Sequence, residues 1–116
     1  MTYELEFDPR AWREWQKLGE TVKKQFKNNL QQVVQNPRIE SARLSDLPDC
    51  YKIKLKASGY RLVYQVRDSV VVVYVIAIGK REKAAVYHQA NKRLYTLSQM
   101  MYDLVAAAAP DQRRVF

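Results

Sequence analysis

The chain has 116 residues, of which 47% are hydrophobic and 28% charged, and it carries a net charge of +8. That length supports one hydrophobic core and not a second independent one. The charge and an isoelectric point near 9.7 point to an acidic partner, and the longest apolar run, Val70 to Ile78, is too short for a membrane helix. Cys50 is the single cysteine and has no internal partner for a disulfide. The opening MTYELEFDPR lacks the basic leader and apolar run of a secretion signal, so the cytoplasm is the expected compartment.

Tyr3, Leu5 and Phe7 alternate with Glu4 and Glu6, which predicts a short strand burying one face. Asp8 then suits a helix N-cap and Pro9 the first helical position. Trp12, Trp15 and Leu18 fall three apart on one stripe, with Gly19 placed to end the helix in a left-handed conformation. Val22, Phe26, Leu30 and Val33 predict a second helix, with Lys23, Lys24 and Lys27 on its wet side and Asn36-Pro37 as its stop. The two helices read as an antiparallel pair. From Arg38 to Asp49 there is no regular period, so a loop is expected, anchored by Leu44 and Leu47.

A tight two-residue turn at Ser58-Gly59 would make a hairpin with Lys56 opposite Arg61, Lys54 opposite Val63 and Lys52 opposite Gln65. The lysines and Arg61 would then share one face, while Tyr51, Ile53, Leu55, Leu62, Tyr64 and Val66 would bury the other. A slip of one residue would bury Arg61 unpaired, at a cost of several kcal/mol. Another turn at Asp68-Ser69 leads into Val70–Ile78, a central strand ended by Gly79-Lys80-Arg81. A helix starting near Glu82 would carry Tyr87 in its second turn. The predicted fold class is α+β: a small, mainly antiparallel four-stranded sheet on an N-terminal helix pair, with a C-terminal helix.

Between Tyr51 and Lys83 the bases Lys52, Lys54, Lys56, Arg61, Arg67, Lys80, Arg81 and Lys83 face only Asp68 and Glu82. Such a field attracts a polyanion. Cleaving RNA requires proton removal from a 2'-hydroxyl, protonation of the leaving 5'-oxygen and positive charge around the transition state. His88 is the only histidine, and no His, Cys, Asp or Glu cluster has metal-ligand spacing. No cofactor or metal is expected. Lysines crowded by other cations give up their protons more readily. Lys52 and Lys54 therefore suit acid–base work, Arg61 and Arg81 suit charge stabilisation, and Tyr87 suits stacking on a base or orienting the hydroxyl. Lys56, Lys80 and Lys83 extend the patch as RNA-binding candidates. Simpler readings stand for the rest: Trp12 and Trp15 as core, Cys50 as a small buried hydrophobe, His88 as surface, and the lysines of the second helix as a solvated face.

Several segments together carry a resemblance. Pro48-Asp49-Cys50-Tyr51-Lys52-Ile53-Lys54-Leu55, Gly59-Tyr60-Arg61-Leu62-Val63-Tyr64, Gly79-Lys80-Arg81-Glu82 and Val86-Tyr87, with Phe7-Asp8-Pro9-Arg10-Ala11 and Trp15-Gln16-Lys17-Leu18-Gly19, resemble the RelE toxins of bacterial toxin–antitoxin systems. The resemblance spans roughly residues 1–95 and implies a RelE-like microbial RNase fold, with residues 96–116 as an extension, either a helical continuation or a tail. It further implies a ribosome-dependent mRNA endonuclease that cuts the A-site codon and leaves a 2',3'-cyclic phosphate and a 5'-hydroxyl. A RelB-type antitoxin is implied as partner, with operator DNA bound only by the pair, and no membrane. Family roles fall on Lys52 and Lys54 as acid–base candidates, on Arg61 and Arg81 as phosphate ligands, and on Tyr87 as base-stacking or orienting group. ParE relatives, which share the fold but poison DNA gyrase, are the alternative, and they are not expected to carry this full set. A plain RNA-binding module that holds without cutting is a third reading.

Overall fold

The structure is a computed structural model, and it describes residues 2–80 and 85–96. The elements follow the order β1 (Glu4–Phe7), α1 (Pro9–Gln16), α2 (Glu20–Val33), β2 (Cys50–Lys54), β3 (Tyr60–Arg67), β4 (Val72–Lys80) and α3 (Ala85–Thr96). The strands form one sheet ordered β1-β4-β3-β2. β1 runs parallel to β4, and the other neighbours are antiparallel. This is the predicted α+β architecture. The two helices ahead of β2 share a core with one sheet face, and α3 covers part of the other.

The N-terminal helices form for the reasons their sequence supplies. The Asp8 carboxylate accepts from the Arg10 backbone N–H at 2.8 Å, and Pro9 opens α1. Trp15 is buried, and its ring meets Phe7 edge-on with centroids 5.5 Å apart. Phe26, Leu30 and Val33 bury the inner stripe of α2, each contributing about 1.5–3 kcal/mol by leaving water. Gly19 departs from expectation. Its φ is −69°, an extended conformation, and it stands at the N-cap of α2. Lys17 ends α1 in a right-handed conformation, its N–H donating to carbonyls of the last turn, so no left-handed residue is needed.

The hairpin register also differs from the expected one. Lys54 pairs with Arg61, Lys52 with Val63 and Cys50 with Gln65, a slip of two from the pairings Lys56–Arg61, Lys54–Val63 and Lys52–Gln65. The connection is longer than a two-residue turn. Leu55 N–H donates to the Tyr60 carbonyl and Gly59 N–H to the Leu55 carbonyl, each at 2.9 Å, while Gly59 takes a φ of +78°. Residues 56–59 thus close as a four-residue loop that needs a left-handed position, which glycine fills without strain. A slip of two preserves parity, so every side chain keeps its predicted face.

Lower in the sheet, β4 begins at Val72 and not at Val70. Asp68–Val70 forms a one-turn 3-10 segment, Val71 has a φ of +56°, and Val70 is left 61% exposed. Between β3 and β4 the pairing steps from Tyr64–Val75 to Val63–Ala77, making Ile76 the extra residue of a bulge. The Arg38–Asp49 segment is largely irregular, as expected, apart from a short 3-10 turn over Glu40–Ala42 and a bridge from Arg43 to Tyr51. Leu47 is buried and Leu44 half-buried. The expected start of the last helix near Glu82 lies outside the described residues, and so does the extension at residues 96–116 apart from Thr96, the last residue of α3.

Candidate active site

Alternation along β2 and β3 sorts side chains between two chemistries. Tyr51, Ile53, Leu55, Leu62, Tyr64 and Val66 join the helix-side core, while Lys52, Lys54 and Arg61 stand on the face that α3 only partly covers. Lys54 is exposed, and Lys52 and Arg61 are half-buried. Lys54 and Arg61 lie directly opposite each other across the ladder. Like charges facing across adjacent strands weaken a sheet, so this pair is a local cost to the fold and a concentration of positive potential.

Arg61 is held by its surroundings. Its Nε is buried without a hydrogen-bond partner, and its guanidinium carbon lies 5.8 Å from the centroid of the Tyr87 ring. The aromatic face supplies a cation–π contact to the guanidinium. On the other side of Arg61 in the ladder is Gly79, which presents no side chain, and Val86 of α3 lies over that position. The seating of α3 follows from a stripe of Val86, Ala90 and Arg93, all buried. That stripe turns Tyr87, the residue after Val86, toward β3.

Two hollows flank the Arg61–Tyr87 contact. One, of about 180 Å³, is lined by Lys54, Lys56, Arg61 and the hairpin loop. The other, of about 460 Å³, lies between Leu44–Leu47 and the outer side of α3 at Tyr87, His88 and Asn91. The first can take a phosphate among three cations; the second is wide enough for a nucleobase beside an aromatic ring. A larger hollow of about 980 Å³ lies far along the sheet, by Glu4, Glu6, Arg38, Asp49 and Asp68. Its mixed charge sets it apart from the cationic face.

Of the sequence candidates, Lys52, Lys54, Lys56, Arg61 and Tyr87 therefore come together. Lys80 does not join them. It pairs with Tyr60, and its Nζ stands 5.6 Å from that ring's centroid, one residue along from Gly79 and thus on the opposite face. Arg81 and Lys83 lie outside the described residues. Arg67 shares the cationic face at its other end, where Tyr74 and Gln65 hold it at 3.9 Å from the ring centroid and 3.0 Å from Oε1. His88 is exposed and Lys24 lies on the solvated side of α2, as expected. Cys50 is fully buried, and burial first, then the Asp49 charge, pushes its thiol up to about 12. Among the described residues no group of three or more His, Cys, Asp or Glu is placed to hold a metal ion, and no helix is long and apolar enough to cross a membrane.

The family model described as the ParE toxin of type II toxin-antitoxin system, parDE, matches residues 5–85. The chain is also 58% identical over 94 residues to the mRNA interferase toxin RelE of Escherichia coli (strain K12), covering 81% of this chain and 99% of that protein. The chain belongs to the RelE toxin family. Among solved structures, a double-mutant E. coli RelE toxin in the free state superposes with a TM-score of 0.76 at 57% identity, over 81% of this chain and 99% of that one. The intact E. coli RelBE toxin–antitoxin complex contains a chain that matches with a TM-score of 0.68 at 59% identity, over 70% of this chain and 99% of that one.

Two features of this RelE-family chain escape a sequence reading. Glu14 of α1 and Arg93 of α3 form a bidentate ion pair, 2.9 Å at each contact, across 79 positions of sequence. Their only sequence signal is a basic residue on the buried stripe of α3. Asp68 accepts from the Tyr3 hydroxyl and from Arg38, both at 2.6 Å, and Arg38 also reaches Asp49 and the Tyr51 hydroxyl. Nothing local announces that network, because its members belong to four separate segments.

Proposed function

We propose that the chain is an endoribonuclease toxin, an mRNA interferase that inhibits translation by cutting mRNA in the ribosomal A site, and that residues 1–95 are its toxin unit. The observation that carries this reading is the stacking of Arg61 on Tyr87 directly across the ladder from Lys54. The cationic hollow takes the scissile phosphate, and a flanking base lies on Tyr87. The 2'-oxygen attacks phosphorus, forming the O2'–P bond while the P–O5' bond breaks. The 2'-proton passes to one lysine and the 5'-oxygen receives a proton from another, leaving a 2',3'-cyclic phosphate and a 5'-hydroxyl. Lys52 and Lys54 share those two roles. Arg61, with Arg81 carried over from the family resemblance, takes up the charge that builds on the phosphate oxygens. With no histidine pair to drive proton transfer, the ribosome must align the 2'-hydroxyl, so free RNA is a poor substrate.

A RelB-type antitoxin is the proposed cognate partner, by analogy with the intact RelBE complex of the E. coli relative, with operator DNA bound by the pair and the cytoplasm as the place of action. The description of the matching family model favours one second reading, a ParE-like toxin that traps gyrase on DNA. Primer extension on mRNA from translating ribosomes separates the two. In-frame breaks that fade by roughly 10²-fold or more in Lys54→Ala, with ribosome binding nearly unchanged, support the nuclease. Intact mRNA together with gyrase–DNA adducts would replace it with the other toxin.

A further inference from the structure

We infer that the Glu14–Arg93 ion pair is a positioning device for the cleavage site: it locks α3 to the open edge of β4 and so sets Tyr87 against Arg61. The edge is open because β1 stops at Phe7, which pairs with Val75. Beyond that point β4 keeps β3 on one side but, among the described residues, has no strand on the other, where side chains take over its backbone groups. Arg93 Nη1 donates to the Ile76 carbonyl at 2.8 Å, and Ile78 N–H donates to Glu14 Oε1 at 3.0 Å. The same two side chains then join each other, Nη1 to Oε1 and Nη2 to Oε2. α1 shares the core on one face of the sheet and α3 packs on the other, so the pair clasps the two helices around the sheet edge.

Capping two backbone groups would need only one donor and one acceptor from any polar residues. A two-pronged guanidinium–carboxylate contact does more, because its planar fork fixes direction as well as distance. The Arg93 side chain is 8% exposed, so water offers it little alternative. Among the described residues the fully buried apolar side chains of α3 are Val86 and Ala90, both small, with Tyr87 and Leu94 half-buried against the same cluster, and none of these contacts fixes direction as a planar fork does. Arg93 stands six residues after Tyr87, about 9 Å along the helix at 1.5 Å per residue. A rotation of α3 that released the fork would therefore swing the Tyr87 ring off the Arg61 guanidinium. Glu14 and Arg93 touch no substrate in this scheme and act through Tyr87.

The inference rests on the proposed role of Tyr87 in cleavage, and its test keeps the two apart. Single-turnover cleavage of ribosome-bound mRNA is measured for Glu14→Gln and Arg93→Lys, each alone and combined with Tyr87→Ala. The NMR signals of the Tyr87 ring and of the Leu30 and Val75 methyls are followed in the single variants. Each single variant is expected to slow cleavage at least 10-fold, and to cost less than 2-fold once Tyr87 is already alanine. The Tyr87 ring signals are expected to move toward those of free tyrosine while the core methyls stay in place, which also shows that the fold is intact. Equal losses in both backgrounds, or a Tyr87 ring whose signals do not move, would overturn the positioning role. Wild-type cleavage by Tyr87→Ala would defeat the reading of the site, and the ring signals alone would then decide whether the clasp holds α3. If Glu14→Gln does not fold, Arg93→Lys retains the charge at that position and carries the test.

Discussion

Arg61 shows how one residue can be legible in sequence and still owe its setting to its neighbours. Parity alone put it on the lysine face, and the ladder adds that it stands opposite Lys54 while its guanidinium lies over Tyr87. Replacing it with lysine keeps the charge and loses the flat, forked group that can stack and grip two oxygens. Arg61→Lys should therefore slow single-turnover cleavage by roughly 10–100-fold and leave ribosome binding within a few-fold; equal effects on both would reduce Arg61 to a holding charge. Asp68 gives a pH-dependent case. The Tyr3 hydroxyl first, and then Arg38, hold its carboxyl below the usual range. A carboxylate depressed on folding stabilises above its unfolded value of about 3.9 and loses that contribution as pH falls through the folded value. Asp68 is exposed, so the effect is small and weakened by salt. The melting temperature of Asp68→Asn should lie slightly below wild type at pH 7, with the gap closing below about pH 4; a gap that persists in acid would mean packing, not charge, is responsible.

At the scale of elements, the hairpin separates what alternation can settle from what it cannot. Residues two apart on a strand share a face, so pairings that differ by two predict the same surface. The choice between them was made by the loop, where the Gly59 N–H reaches the Leu55 carbonyl at a φ of +78°. No atom crowds the place where a Cβ would sit on Gly59. Gly59→Ala should therefore carry only the backbone penalty, about 1–2 kcal/mol, visible in chemical denaturation with an unchanged slope. A loss well above that range would mean that the loop makes contacts beyond its own turn. Helix α3 is the contrasting element. Its place after β4 was readable, yet its seating depends on Glu14, contributed by a helix on the other side of the sheet.

For the whole molecule, the relative of 99% coverage aligns over 94 residues of this chain, a length close to that proposed for the toxin unit. A chain ended at Thr96 should cleave ribosome-bound mRNA within about 2-fold of the full chain, well under the tenfold that 1.4 kcal/mol represents. A large loss would bring residues 97–116 into the active unit. The sequence by itself determined the order of elements, the face on which each hairpin residue stands, the core stripe of α2 and the cationic character of the hairpin. Those properties follow from local periodicity and charge, which each segment carries alone. Tertiary structure alone decided the hairpin register, the bulge at Ile76, the separation of Lys80 from the other lysines, the Asp68 network and the clasp between Glu14 and Arg93. Each of these depends on groups far apart in the chain meeting at one place, and no single segment holds the free energy that brings them together.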